Sequence, residues 1–242
     1  MIMEKFIEVK NLTKTYGDGV KTRALAGVSF EIEEGEFVAI MGPSGSGKST
    51  LMHIMGYLDR PTSGTYEFKG KRIDELDDDE LAETRNEEMG FVFQAFNLLR
   101  RATVYENIKL PLVYSKIKDS KEQKKLIEKA ARAVGLEHRL NHLSNQLSGG
   151  EQERVATARA VVLSPSVIFA DEPTGNLDSK SGQQVMDIFQ KLNDKGHTVI
   201  LVTHEDHTAR HAKRIIKLRD GEIVSDREVR ERVYAKDGEL KK

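Results

Sequence analysis

Gly42-Pro43-Ser44-Gly45-Ser46-Gly47-Lys48-Ser49-Thr50 fits the pattern G-x-x-x-x-G-K-[ST] in full. The residue types suit phosphate chemistry. Glycines let the backbone curl until several N–H groups point inward at phosphate oxygens, and a helix opening after the loop adds the positive end of its dipole. Lys48 can reach the β- and γ-phosphates of a nucleoside triphosphate, and the Ser49 hydroxyl can ligate Mg²⁺. The bland alternative is an ordinary glycine turn. Against it, Phe37-Val38-Ala39-Ile40-Met41 just ahead reads as a buried strand, the context that the motif requires. The loop alone does not separate ATPases, GTPases and kinases.

Two further segments carry chemistry. Val167-Ile168-Phe169-Ala170-Asp171-Glu172 places two carboxylates at the end of a second buried strand, the edge where open parallel sheets bind ligands. Asp171 suits Mg²⁺, which prefers hard oxygen donors. Glu172 points differently and can act as general base toward a water. Without the phosphate loop this pair would read as a solvated turn. Leu147-Ser148-Gly149-Gly150-Glu151 precedes a helical run from Gln152 to about Leu163. Ser148 reads as its N-cap, with N–H groups and a dipole free to hold an anion; alone, the segment would be a cap with a flexible lead-in.

These pieces need elements to hold them. Phe6–Lys10 and Val28–Ile32 alternate apolar and polar residues, as half-buried antiparallel strands do, and Gly64–Phe68 looks like another strand. Phe37–Met41, Val167–Ala170 and Thr198–Val202 are apolar throughout, which fits parallel strands covered on both faces. Leu126, Ile127, Ala130, Ala131 and Val134 form a helical stripe ending at Gly135. Asp77–Glu88, Val104–Leu112 and about Ser181–Leu192 are further helices, and Asp220-Gly221 turns a last hairpin. Strands, then helices, then α/β alternation imply an α/β core with an antiparallel β subdomain, interrupted by an α-helical subdomain. We expect one domain over residues 1–242, with core segments 1–94 and 165–225, a helical subdomain 95–164 and a charged tail 226–242.

Composition narrows the class. Of 242 residues, 38 are Lys or Arg and 39 Asp or Glu, giving a net charge of −1, which argues against a dominant nucleic-acid partner. The chain has no cysteine, so disulfides, thiolate metal sites and cysteine catalysis are excluded. No apolar run approaches a membrane span, so direct membrane insertion is not expected. The N-terminus has no secretion-signal apolar core. His204, His207 and His211 include a zinc-capable i, i+4 pair, but His204-Glu205-Asp206-His207 is not H-E-x-x-H. We read these histidines as a solvated helix face, and Met52 and Met55 as core.

The joint order of the motifs resembles the ABC-type ATPases. Leu147–Gly150 matches their signature, ahead of Asp171 in a chain with a phosphate (Walker A) loop. Tyr16 matches the aromatic that stacks on adenine, and Gln94 in Gly90–Gln94 the Q-loop. Gly175-Asn176-Leu177-Asp178 matches the D-loop and His204 the switch histidine. Alone, Tyr16, Gln94 and His204 would pass for packing, surface and structural residues. The resemblance covers about residues 5–225. It departs at Glu151, where such signatures usually carry Gln. Phe91–Leu99, Asn145–Glu151 and Ala170–Asp178 are similar to the LolD/MacB branch, of which the cell-division ATPase FtsE is a close relative.

The resemblance implies a P-loop NTPase (RecA-like) core and ATP with Mg²⁺ as ligands. Gly42 to Thr50 and Tyr16 would bind nucleotide. Ser49, Gln94 and Asp171 would face the metal, and Lys48, Gln94, Glu172 and His204 would serve catalysis. It implies a head-to-tail homodimer on ATP binding, with Ser148, Gly149 and Gly150 of one copy closing on the phosphate loop of the other and Asp178 at the seam. It further implies a separate integral membrane permease received near the Q-loop, and hence a peripheral place on the cytoplasmic face of the membrane. Export or extraction of a substrate is the leading expectation. An FtsE-like force-transmitting complex without transport is the alternative. A soluble ABC ATPase acting on DNA or ribosomes would normally carry a coiled-coil insertion or tandem cassettes, and this chain has neither.

Overall fold

The computed structural model describes residues 5–17 and 19–237. Strands β1 (Ile7–Tyr16) and β2 (Thr22–Ile32) form a long antiparallel ribbon. The chain then enters β3 (Phe37–Met41), the phosphate loop and α1 (Lys48–Met55), before β4 (Ser63–Phe68) and β5 (Lys71–Arg72) return to the first sheet. That sheet runs β2-β1-β4-β5 and is antiparallel. Helix α2 (Asp78–Glu88) leads into β6 (Met89–Val92), followed by α3 (Val104–Tyr114), α4 (Ser120–Ala133) and α5 (Gly149–Val161). Alternation resumes with β7 (Val167–Asp171), α6 (Ser179–Asp194), β8 (Thr198–Thr203) and α7 (Asp206–Ala209), and ends in the hairpin β9 (Arg214–Arg219) and β10 (Glu222–Glu228).

The second sheet has the order β10-β9-β3-β8-β7-β6, parallel except for the β9–β10 hairpin. Its central strands read as continuous apolar runs because both faces are covered. Val38, Ile40, Phe169, Ile200 and Val202 face a core shared with α1 and the antiparallel sheet. Phe37, Ala39, Ile168, Ala170, Val199 and Leu201 face a second core shared with the helices. Successive residues serve opposite cores, as the period of a strand demands. Met52 and Met55 are fully buried in the first core, as the sequence suggested.

The helices have local causes. Thr103 and Glu106 close a capping box on α3, and Asp77 and Glu80 do so on α2. The α4 stripe buries Ile127, Ala130 and Ala131. The expected tail needs correction. The tail does not begin at 226, because Asp226–Glu228 still pair with β9. Beyond them the chain straps back over α6: the Gln190 amide donates to the Val233 carbonyl at 2.8 Å and accepts from the Ala235 N–H at 2.9 Å. Charged residues suggested a tail there, yet backbone bonding to one buried glutamine docks them. The tail's last residues, 238–242, lie outside the described residues.

Candidate active site

The phosphate loop leaves β3 at Met41 and enters α1 at Lys48. Gly45 and Gly47 take left-handed backbone, φ 79° and 96°. A Cβ on Gly42 or Gly47 would run into the carbonyl oxygens of Leu218 and Ala24. Gly47 caps α1 without a side chain, and the first turn holds no acidic residue. The helix N–H groups and dipole are thereby left to an anion. Lys48 is buried and its Nζ donates back to the Pro43 carbonyl at 2.9 Å.

Sheet register decides what faces this loop. Strands β3, β8 and β7 are neighbours, with Met41 opposite Thr203 and Asp171 opposite Val202. The phosphate loop, His204 and the Asp171-Glu172 pair therefore leave one sheet edge together. Burial, then the charge of Glu172, raises the Asp171 carboxyl above its ordinary range, against the pull of His53 and Lys48. A dication beside it would reverse that balance. No three His, Asp or Glu side chains among the described residues gather as a metal cage. Mg²⁺ does not need one, since it takes one or two carboxylates plus phosphate oxygens and water. The Ser49 hydroxyl, Gln94 amide and Asp171 carboxylate are hard oxygen donors of that kind.

Glu172 breaks from the strand into left-handed backbone, φ 47°. Such backbone costs about 1–3 kcal/mol and persists only where the surroundings over-determine it. Here the Glu172 N–H donates to the Val202 carbonyl at 2.8 Å, and its carbonyl accepts from the Gly175 N–H at 3.0 Å. Its Oε1 accepts from His204 Nδ1 at 2.7 Å and its Oε2 from the Thr203 hydroxyl at 3.1 Å. Gln94 reaches the same place from β6: its Nε2 lies 3.4 Å from where a Gly175 Cβ would stand, and its carbonyl accepts from Asn176 Nδ2 at 3.0 Å.

A second group forms elsewhere on the chain. Ser148 caps α5, and its N–H and hydroxyl donate to Glu151 Oε2 at 2.9 and 3.0 Å. Glu151 Oε1 accepts from Arg139 Nε at 3.1 Å. The residue that departs from the family pattern thus completes a capping box with its charge paired, and its carboxyl sits below the ordinary range chiefly through the Ser148 N–H. Asp178 caps α6, accepting from the Ser181 N–H at 2.9 Å and hydroxyl at 2.7 Å. Gly150 packs directly against Ser181, whose Oγ lies 2.7 Å from a Gly150 Cβ position. Among the described residues, no hydrogen bond or ion pair joins Ser148–Gly150 to Gly42–Thr50. Tyr16, at the end of β1 and 42% exposed, neighbours the phosphate loop through the Thr50 hydroxyl.

The expected solvated histidine face needs correction. Helix α7 is a single turn, and His211 is fully buried, its Nδ1 against the carbonyls of His207 and Thr208 at 3.1 and 3.3 Å. Burial lowers its pKa to about 4, outweighing the bonds to the His207 and Thr208 carbonyls, so it is neutral. Sequence reasoning also missed supporting residues. Arg159 of α5 donates to the carbonyls of Phe96 and Asn97 at 2.9 and 2.7 Å. It thereby clamps two consecutive left-handed residues just past Gln94. Glu205 accepts from the hydroxyls of Thr174 and Thr208 at 3.2 and 2.7 Å, fixing the loop after His204. Helical spacing alone would place Arg159 on a solvated face.

A strand–glycine loop–helix unit, an acidic pair on the next strand but one and a parallel sheet define a P-loop nucleoside triphosphatase. The family model of ABC transporters matches residues 25–175. An ABC transporter ATP-binding protein of Methanocaldococcus jannaschii is 52% identical over 219 residues, 90% of this chain and 97% of that one. The macrolide export ATP-binding/permease protein MacB of Bdellovibrio bacteriovorus is 53% identical over 222 residues, 91% of this chain; the chain spans only 34% of that relative's length. The dimeric post-hydrolysis structure of the ATP-binding cassette MJ0796, bound to ADP and Pi, superposes with a TM-score of 0.85 at 46% identity, over 93% of this chain and 99% of that one. The chain belongs to the ABC transporter family, in its LolD/MacB-type branch, and is an ATPase.

Proposed function

We propose that this chain is the ATP-hydrolysing subunit of a membrane export or extraction system, closing as a head-to-tail homodimer around two ATP molecules. The observation that carries this is the separation of two anion-facing helix starts. The N-terminus of α1 carries no side-chain cap. At α5 the Ser148 hydroxyl accepts from the Glu151 N–H while the glycines Gly149 and Gly150 open the helix, and no described bond joins the two helix starts within one chain. A second copy supplies the missing half of each site, and twofold symmetry then gives two equal sites. The dimeric structure of a cassette 46% identical, bound to ADP and Pi, supports a dimer.

In this reading Tyr16 stacks on adenine, while Gly42–Gly47, Lys48, Ser49 and Thr50 hold the phosphates. Ser49, Gln94 and Asp171 would hold Mg²⁺, which screens charge on the β- and γ-phosphates when bound. Glu172 takes the proton of the attacking water as its oxygen bonds to the γ-phosphorus, and the bond to the ADP oxygen breaks. His204 holds the Glu172 carboxylate at 2.7 Å and faces the γ-phosphate. Ser148–Gly150 and Asp178 of the other copy complete the site. Loss of the γ-phosphate removes contacts across the seam and loosens the dimer.

No helix among the described residues is long and apolar enough to cross a membrane; in this reading closure acts on a permease. A groove of about 380 Å³ beside the Q-loop, lined by Leu58, Phe91, Phe93, Leu110, Pro111 and Tyr114, is suited to a permease's cytoplasmic segment. The fused permease named in the MacB relative supports this partner, and with it a place on the cytoplasmic face of the membrane. Glu172→Gln tests the core of the proposal. It should bind ATP without turning it over and elute as a dimer with saturating ATP and Mg²⁺; a monomer under those conditions overturns the sandwich.

A further inference from the structure

The base-stacking tyrosine has a support that the site described above does not use. Tyr16 and Lys14 are alternate residues of β1 and so share a face. The Tyr16 hydroxyl donates to Asp59 Oδ2 at 2.8 Å, and Lys14 Nζ donates to Asp59 Oδ1 and to the Arg60 carbonyl, each at 2.6 Å. The same ammonium stands 4.9 Å from the Tyr16 ring centroid. Lys14 is nearly enclosed, its side chain 12% exposed, whereas Tyr16 remains 42% exposed. Burial opposes the charge on Asp59, but the bonds from Lys14, Tyr16 and the Arg60 N–H outweigh it and hold the carboxyl below its ordinary range. Burial, then Asp59, raises the Tyr16 phenol, which therefore stays a donor, with the Thr50 hydroxyl as a further neighbour.

We infer that Lys14 and Asp59 are positioning residues for the purine base, holding the Tyr16 ring as a one-sided platform with the ammonium behind it. The inference rests on the reading of Tyr16 as the base-stacking residue. A tyrosine at a strand end beside a glycine-bearing hairpin would otherwise lose side-chain freedom on stacking; the fixed hydroxyl removes that cost before the nucleotide arrives. An ammonium on one face draws ring electron density toward it. The opposite face then becomes a better partner for an electron-rich purine. Asp59 follows the end of α1, the helix whose start holds the phosphates. The base platform and the phosphate loop are thus registered to one rigid element, which sets the distance between the two ends of the nucleotide.

The experiment is calorimetric titration of ATP with Mg²⁺ into the full chain, on wild type and on Lys14→Met, Lys14→Arg, Asp59→Asn and Tyr16→Ala, with thermal unfolding confirming that each variant is folded. Lys14→Met and Asp59→Asn should each weaken ATP about fivefold, the scale of a cation–π contact at a half-exposed site. Lys14→Arg, which keeps the cation, should bind near wild type. Added to Tyr16→Ala, neither substitution should cost anything more. The inference is overturned if the single substitutions leave ATP affinity unchanged, or if their loss persists undiminished in the Tyr16→Ala background. If Tyr16→Ala itself binds ATP normally, the base-stacking reading falls and takes the inference with it. Loss in Tyr16→Ala alone overturns only the positioning role.

Discussion

Around the phosphate loop the backbone is shaped by what glycines allow, whereas at the start of α5 it is shaped by what side chains bond. Gly42 and Gly47 sit where a Cβ would strike fixed carbonyls of neighbouring elements, so packing as well as local backbone demands glycine there. Ser148 and Glu151 close a box within one turn of helix, tethered by Arg139. The first region leaves a strand that faces two cores and carries its own charged groups, Lys48 and the acidic pair. The second offers an N-terminus and no charge of its own toward a ligand. A region of the first kind binds phosphate unaided; one of the second kind adds to a site built elsewhere.

That contrast can be broken by experiment. Lys48→Ala should have the largest effect, with hydrolysis falling by about 10²–10³-fold, as loss of a preorganised charge at a transition state does, and ATP binding by the isolated chain falling with it. Gly150→Ala pushes α5 away from Ser181, whose Oγ lies 2.7 Å from the new Cβ. A displacement of that kind can cost roughly 10²-fold in turnover, while ATP binding by the monomer should stay at the wild-type level. Equal loss of monomer binding in both variants would erase the distinction between the regions.

Smaller effects sharpen it. Glu153 on α5 is fully buried, and burial raises its pKa to about 8 from 4.5, so the folded protein keeps it protonated at neutral pH. Between those values the unfolded chain has released a proton that the folded chain retains. Stability is therefore lost as pH rises from about 4.5 to about 8 and levels off above. Glu153→Gln should remove that slope, so its unfolding temperature should match wild type near pH 4.5 and exceed it increasingly toward pH 8. Parallel curves would place the carboxylate outside the core. Glu151→Gln keeps the box and loses only the Arg139 charge pair. It should shift stability by no more than about 0.5 kcal/mol and leave turnover within about twofold of wild type. A larger loss would make the charge part of the anion site.

Motifs with local backbone demands were legible in the chain. The glycine spacing of the phosphate loop, the Ser148 cap and the unbroken apolar strands each follow from a rule acting over a few residues. The buried Met52 and Met55 followed too. What escaped reading depends on residues far apart. Arg159 faces the carbonyls of Phe96 and Asn97 across the fold, and His211 is buried by a strap whose polar composition suggested exposure. Asp59 meets Lys14 and Tyr16 only because α1 returns the chain to the end of β1.

By itself the sequence determined the phosphate loop, the order of strands and helices, and the residue types available for each chemical task. It did so because phosphate binding and two-faced strand burial impose patterns within a single element. Only the tertiary structure decided which of those residues meet. The register of β3, β8 and β7 brings the loop, the acidic pair and His204 to one edge. The kinked Glu172 is held by strand-to-strand bonds, and the signature start rests on α6 with no described bond to the phosphate loop. Contacts of this kind are fixed by packing between distant segments, where no short-range pattern in the chain records the outcome.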